Sequence, residues 1–161
     1  GRTDWRVSRV LKYRAGEAVR SLSHSNGRAA VLAAEGGIRC GVDLEQIRQR
    51  DFAALAEWVA DESEYDYLQK RGWQASDFYR LWCCKEALLK ACNGDFPADM
   101  RKVGYAFDGQ GALLGLRADG GFYGQTTVTA DGFMVAVVWQ GIAECCWQAL
   151  GAMILGEIEA V

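Results

Sequence analysis

Three Asp-Gly pairs, Asp108-Gly109, Asp119-Gly120 and Asp131-Gly132, punctuate the second half of the chain and constrain its fold most. An Asp-Gly pair between apolar runs is a strong local turn signal, because both residues tolerate the left-handed backbone that tight connections need. The runs it separates, Lys102–Phe107, Ala112–Arg117, Gly121–Thr129 and Phe133–Gln140, are therefore expected to be consecutive antiparallel strands. A hairpin is expected earlier, with one strand ending near His24, a turn at Asn26-Gly27 and a return strand from Ala29 to Ala34. A further strand should span Ile38 to Gln46, after Gly36-Gly37. Helices are expected over Asp4–Ala15 with Thr3 as N-cap, Asp51–Ala60, and Asp61–Arg71 with Asp61 as N-cap. The longest should run from an N-cap at Ser76 to the Asn93-Gly94 stop. This segregation of strands and helices predicts an α+β fold in which an antiparallel sheet packs with helices. A last helix is expected over about Ala143–Glu159, with Cys146, Ala149, Met153 and Ile154 on its apolar side. Gly151 and Gly156 would each cost that helix ~1 kcal/mol against Ala, so it would need packing to persist.

Chemistry concentrates on two of these elements. Alternate residues of a strand share a face, so Asp43 and Glu45 lie together, ~7 Å apart along the backbone, while Val42 and Leu44 face a core. On the long helix Phe78, Leu81, Cys84, Leu88 and Cys92 form one apolar stripe at three- and four-residue spacing. Trp82, Glu86 and Lys90 follow a neighbouring stripe, with Lys85 beside them. Three carboxylates repel one another unless a cation joins them, and the two lysines could neutralise a polyphosphate. Read alone, Glu86 and Lys90 could equally be an exposed pair worth only ~0.3–0.5 kcal/mol. The segment SLSHSNG, Ser21–Gly27, adds the Ser23 and Ser25 hydroxyls and His24, the single histidine. One histidine excludes a multi-histidine zinc site.

In chain order the segments read SHS, GVDLE and FYRLWCCKEALLK. They resemble the signatures of the surfactin-type 4′-phosphopantetheinyl transferases: a serine-histidine-serine segment, a G-[IV]-D-[IL]-E strand and a W-x-x-K-E-[AS]-x-x-K helix. The resemblance covers roughly Ser21 to Gly94, with a looser match through Trp139. It implies that Asp43, Glu45 and Glu86 hold Mg²⁺, and that Ser23 and His24 contact coenzyme A, as do Lys85 and Lys90 through its phosphates. It further implies transfer of the phosphopantetheine arm of coenzyme A to a serine of an apo acyl or peptidyl carrier protein, with release of 3′,5′-ADP. Glu86 and Lys90 are then the catalytic candidates, Glu86 as ligand, as base, or both. Members of the family usually carry a sizeable N-terminal half before the serine-histidine segment. Only residues 1–20 precede it here, and the basic side chains Arg6, Arg9, Lys12 and Arg14 could supply phosphate-binding charge.

The 161 residues, 50% of them hydrophobic, suit one domain: a reduced N-terminal part (1–20), a motif-bearing core (21–140) and a C-terminal helix (141–161). A net charge of −3 argues against a nucleic-acid-binding surface. Six cysteines without C-x-x-C spacing point to reduced, structural thiols and a cytoplasmic protein. No stretch has the pattern of a membrane span. A monomer whose first helix closes the ligand cleft is the expected assembly. Two competing functions fit the same residues. One is a Mg²⁺-dependent coenzyme A or nucleotide pyrophosphohydrolase using water as nucleophile. The other is a non-catalytic module binding coenzyme A or a carrier protein.

Overall fold

A computed structural model describes residues 2–141, 143–150 and 153–160. Helix α1 (Arg2–Ala15) and a single 3₁₀ turn (Gly16–Ala18) lead into the hairpin β1 (Val19–Ser25) and β2 (Arg28–Ala34), and then β3 (Cys40–Gln46). Three helices follow, α2 (Phe52–Val59), α3 (Glu62–Lys70) and α4 (Ala75–Cys92), and after them β4 (Gly104–Phe107), β5 (Leu113–Arg117), β6 (Phe122–Val128) and β7 (Phe133–Gln140). Two further strands, β8 (Ala143–Leu150) and β9 (Met153–Ala160), complete the order.

Local chemistry explains most boundaries. Asn26 and Gly27 both take positive φ, 46° and 80°, as a two-residue hairpin turn requires. The Asp61 side chain accepts the Glu64 N–H while the Glu64 carboxylate accepts the Asp61 N–H, a reciprocal cap that starts α3. Asn93 ends α4 in the left-handed conformation, φ 53°. The start of α4 differs from expectation: Gln74 is the N-cap, without a side-chain bond, and Ser76 lies inside the first turn. Helix α1 likewise begins before Thr3. Asp108-Gly109 and Asp131-Gly132 lie in connections wider than two residues, whereas Asp119-Gly120 lies in a bend joining β5 to β6, which do not pair; Asp108 closes its loop by accepting the N–H groups of Gln110 and Ala112.

The strands form two packed sheets and a separate β4-β5 hairpin. One sheet has the order β3-β7-β6, antiparallel throughout. The strand period is plain in β7. Phe133, Val135, Val137 and Trp139 pack with Val42 and Leu44 of β3 against Ala30, Leu32 and Ala34 of β2. Met134 and Ala136 turn the other way, against Phe78, Leu81 and Cys84 of α4. Helix α1 covers the outer face of β2, where Leu11 meets Ala29 and Val31.

Helix α4 crosses β3 with almost no side chain between them. A Cβ on Gly41 would lie 2.0 Å from the Ala87 carbonyl oxygen, so only glycine permits this contact. Gly41→Ala must push α4 off the sheet, and a loss of ~1–3 kcal/mol is expected by analogy with overpacked cores. Urea titration of the variant checks this.

The helix expected over Ala143–Glu159 is instead the strand pair β8-β9. Strand β9 lies parallel to β2, giving the order β1-β2-β9-β8 and one parallel pair in an otherwise antiparallel arrangement. Two physical reasons favour strands. Gly156-Glu157-Ile158-Glu159-Ala160 alternates with a period of two, and glycines weaken a helix. Strand β2 is buried along nearly its whole length, so the polar groups of its second edge need a ladder partner. The cysteines are free thiols, and burial pushes Cys40 up to about 11 and Cys84 up to about 12. Among the described residues no helix is long and apolar enough to cross a membrane.

Candidate active site: a carboxylate cluster between β3 and α4

The close passage at Gly41 brings the outward face of β3 against the Glu86–Lys90 stripe of α4. Asp43 is only 4% exposed. Its Oδ1 accepts the Ser23 hydroxyl at 2.8 Å and the Lys90 ammonium at 2.8 Å, and Lys90 also donates to the Val42 carbonyl at 3.0 Å. Its Oδ2 is buried and accepts no N–H or O–H hydrogen bond among the described residues, and the buried Cys83 thiol lies close enough to be pushed up by burial first and then by the Asp43 carboxylate. Glu45, two residues on, accepts the Ser25 hydroxyl through Oε2 at 2.8 Å. Glu86 supplies the third carboxylate from the helix.

The electrostatics show that the three carboxylates sense one another. Burial, and then the Asp43 charge, push Glu86 up to about 7, with Lys90 opposing the shift. Glu45 also lies above its ordinary value, mainly through burial, with Asp43 adding to it. A cation between them would reverse this strain, and an all-oxygen donor set suits Mg²⁺. The donor chemistry of these residues therefore suits such an ion. The site is not pre-closed: among the described residues no three His, Cys, Asp or Glu side chains are arranged around one point. Lys90 serves as counterion to Asp43 in this arrangement.

The other expected ligands fall elsewhere. Lys85 was expected to reach a phosphate, yet it is completely buried, held by Glu64 Oε2 at 2.5 Å and the Val103 carbonyl at 2.6 Å. Lys85 and Glu86 are adjacent, hence ~100° apart around the helix, and cannot both face the cluster. Ser23 and His24 are likewise neighbours on a strand and face opposite ways. Ser23 points at Asp43, whereas His24 is exposed, paired with Ala29 on the face that α1 covers. A cleft of about 770 Å³ on that side is lined by Arg9, Lys12, Tyr13, Gly16 and Val19, which puts two basic side chains of α1 at its wall. Glu64, the partner of Lys85, carries no sequence signal beyond the helix cap. Ser21, Ser23 and Ser25 did carry one, since their spacing of two puts three hydroxyls on one strand face.

Residues 39–135, more than half of the chain, match the family of the 4′-phosphopantetheinyl transferase superfamily. The chain belongs to that superfamily. The matched range holds Asp43, Glu45, Glu86 and Lys90; Ser23 and His24 precede it. A Haemophilus influenzae protein provisionally named a 4′-phosphopantetheinyl transferase is 35% identical over 74 residues, 44% of this chain and 32% of that protein. The chain thus spans about a third of the length of this curated relative. Among solved structures it is similar to the Thermotoga maritima holo-[acyl-carrier-protein] synthase, 21% identical over 71% of each chain with a TM-score of 0.49.

Proposed function

We propose that this superfamily member is a surfactin-type enzyme that transfers the 4′-phosphopantetheine arm of coenzyme A to a serine of an apo acyl or peptidyl carrier protein, with Mg²⁺, in the cytoplasm. The observation that supports the proposal is the Lys90–Asp43 contact across the close β3–α4 passage at Gly41, with Glu86 near enough to feel the charges of Asp43 and Glu45. The order of the SHS, GVDLE and WCCKEALLK segments supports the surfactin-type assignment.

In the proposed reaction the serine oxygen bonds to the β-phosphorus of coenzyme A, the pyrophosphate bridge breaks, and 3′,5′-ADP leaves. Mg²⁺, held by Asp43, Glu45 and Glu86, would neutralise charge developing on the pyrophosphate. Glu86 accepts the serine proton on a carboxylate oxygen, as a positioned general base. Lys90 keeps positive charge beside the same carboxylates, on a flexible stem that can turn to a phosphate. The α1 cleft, with Arg9 and Lys12, offers a further place for phosphate charge near the His24 face.

Mass spectrometry of apo-carrier proteins incubated with coenzyme A, Mg²⁺ and this protein tests the reaction. One added phosphopantetheine per carrier is expected. Coenzyme A cleaved while every carrier stays unmodified would point to a pyrophosphohydrolase instead. The metal is tested without turnover. Mg²⁺ at ~100 times its dissociation constant should stabilise the wild type by ~2.7 kcal/mol against unfolding. Asp43→Ala should lose that response, and a normal Mg²⁺-induced rise in its melting temperature would end the metal assignment.

A further inference from the structure

Strand β1 presents a ladder of three serines to β3. Ser21 accepts the Val42 N–H at 3.0 Å, Ser23 donates to Asp43 Oδ1 at 2.8 Å, and Ser25 donates to Glu45 Oε2 at 2.8 Å. The three are 8%, 7% and 9% exposed, too enclosed to serve as open ligand contacts. The two lower rungs have a direction. The Asn26 amide donates to the Ser25 oxygen at 3.1 Å, so the Ser25 hydroxyl hydrogen is left for Glu45. Asn26 is itself fixed in the hairpin turn by its positive φ of 46°. At the other rung Ser23 and Lys90 together occupy Oδ1 of Asp43, and Oδ2 is the oxygen left without an N–H or O–H donor among the described residues.

We propose that Ser23 and Ser25 are positioning residues that hold the Asp43 and Glu45 carboxylates in the orientation a divalent cation needs, with Asp43 offering the ion Oδ2 alone. This rests on the metal reading given above and assigns to two hydroxyls a part in it. A short carboxylate has few rotamers, and a hydrogen bond to one oxygen selects among them before the ion arrives. The neutral donor leaves the carboxylate its charge. Outer partners of this kind commonly change metal affinity 10–100-fold when removed. Ser21, whose hydroxyl accepts the Val42 N–H, ties the two sheets together without a hydrogen bond to a carboxylate among the described residues.

The test measures Mn²⁺ binding to the whole chain by electron paramagnetic resonance, with no substrate, well below each variant's melting temperature. Ser23→Ala and Ser25→Ala should each weaken binding ~10–100-fold, and Ser23→Thr and Ser25→Thr, which keep the hydroxyl, should recover most of it. Ser21→Ala is the control: it should lower the melting temperature like the others and leave the dissociation constant within about twofold of wild type. Wild-type affinity in both Ser23→Ala and Ser25→Ala overturns the proposal while leaving the metal site standing, and so does equal weakening in Ser21→Ala. If wild-type protein binds no Mn²⁺, the metal reading falls and this inference with it. Should Ser23→Ala fail to fold, Ser25→Ala against Ser25→Thr decides.

Discussion

Glu86→Gln should lower the rate of phosphopantetheine transfer by ~10²–10⁴-fold, the usual contribution of a positioned base. The amide keeps the side chain's shape and one ligand oxygen but cannot take up a proton. Coenzyme A affinity, measured by calorimetry on the same sample, should change only several-fold. Wild-type turnover in this variant would remove Glu86 from the reaction. The same substitution has a signature without substrate. Glu86 ionises at 4.5 when unperturbed and at about 7 in the folded protein, so the folded state binds the proton more tightly. Below 4.5 both states are protonated and nothing is lost; as pH rises from 4.5 through 7, the metal-free protein should lose stability. Denaturant midpoints across that window should fall for wild type and fall less for Glu86→Gln. Glu45, shifted in the same direction, keeps the slope from vanishing.

Glu64→Gln is expected to be the most damaging substitution away from the carboxylate cluster. Glu64 and Lys85 are both 0% exposed, and the pair sits against Gly104, where a Cβ would lie 1.8 Å from Glu64 Oε1. Glu64 also accepts the Tyr105 N–H at 2.8 Å, while Arg117 bonds Asp61 and approaches Glu64 at 3.6 Å. Removing the carboxylate charge strands a buried ammonium, which costs ~3–5 kcal/mol in comparable sites. The double variant Glu64→Leu/Lys85→Met should regain only the part of that loss due to the stranded charge, because the Tyr105 and Asp61 N–H groups and the Val103 carbonyl still lose their partners. The double variant also tests the placement of Lys85. It should bind coenzyme A about as wild type does, whereas Lys90→Ala should bind it more weakly. The opposite ranking would restore Lys85 as a phosphate ligand.

Legibility in the sequence followed the range of the forces involved. The hairpin turn at Asn26-Gly27, the Asp61 cap and the Asn93 stop depend on a few neighbouring residues, and each stands where it was expected. The pairing of Asp43 with Glu45, and of Glu86 with Lys90, follows from the two- and four-residue repeats of their elements. That β3 and α4 meet at all depends on Gly41, whose missing side chain has meaning only beside the Ala87 carbonyl. The same repeats, applied more strictly, separate Ser23 from His24 and Lys85 from Glu86. They do not say which of each pair faces the cluster.

The sequence by itself determined the α+β class, nearly every element up to Gln140, and the shared strand face of Asp43 and Glu45. Local propensity and periodicity suffice for these, since each is settled within one turn of helix or one pair of strand residues. Tertiary structure alone decided that Lys85 is a buried partner of Glu64, and that Ser23 serves Asp43. It also decided that the last residues become strands rather than a helix. In each case the outcome rests on a partner distant in the chain: Glu64 for Lys85, β3 for the serines, the open edge of β2 for β9. Burial and unpaired backbone groups act through space, so the residue that satisfies them is set by the folded neighbour and not by the adjacent sequence.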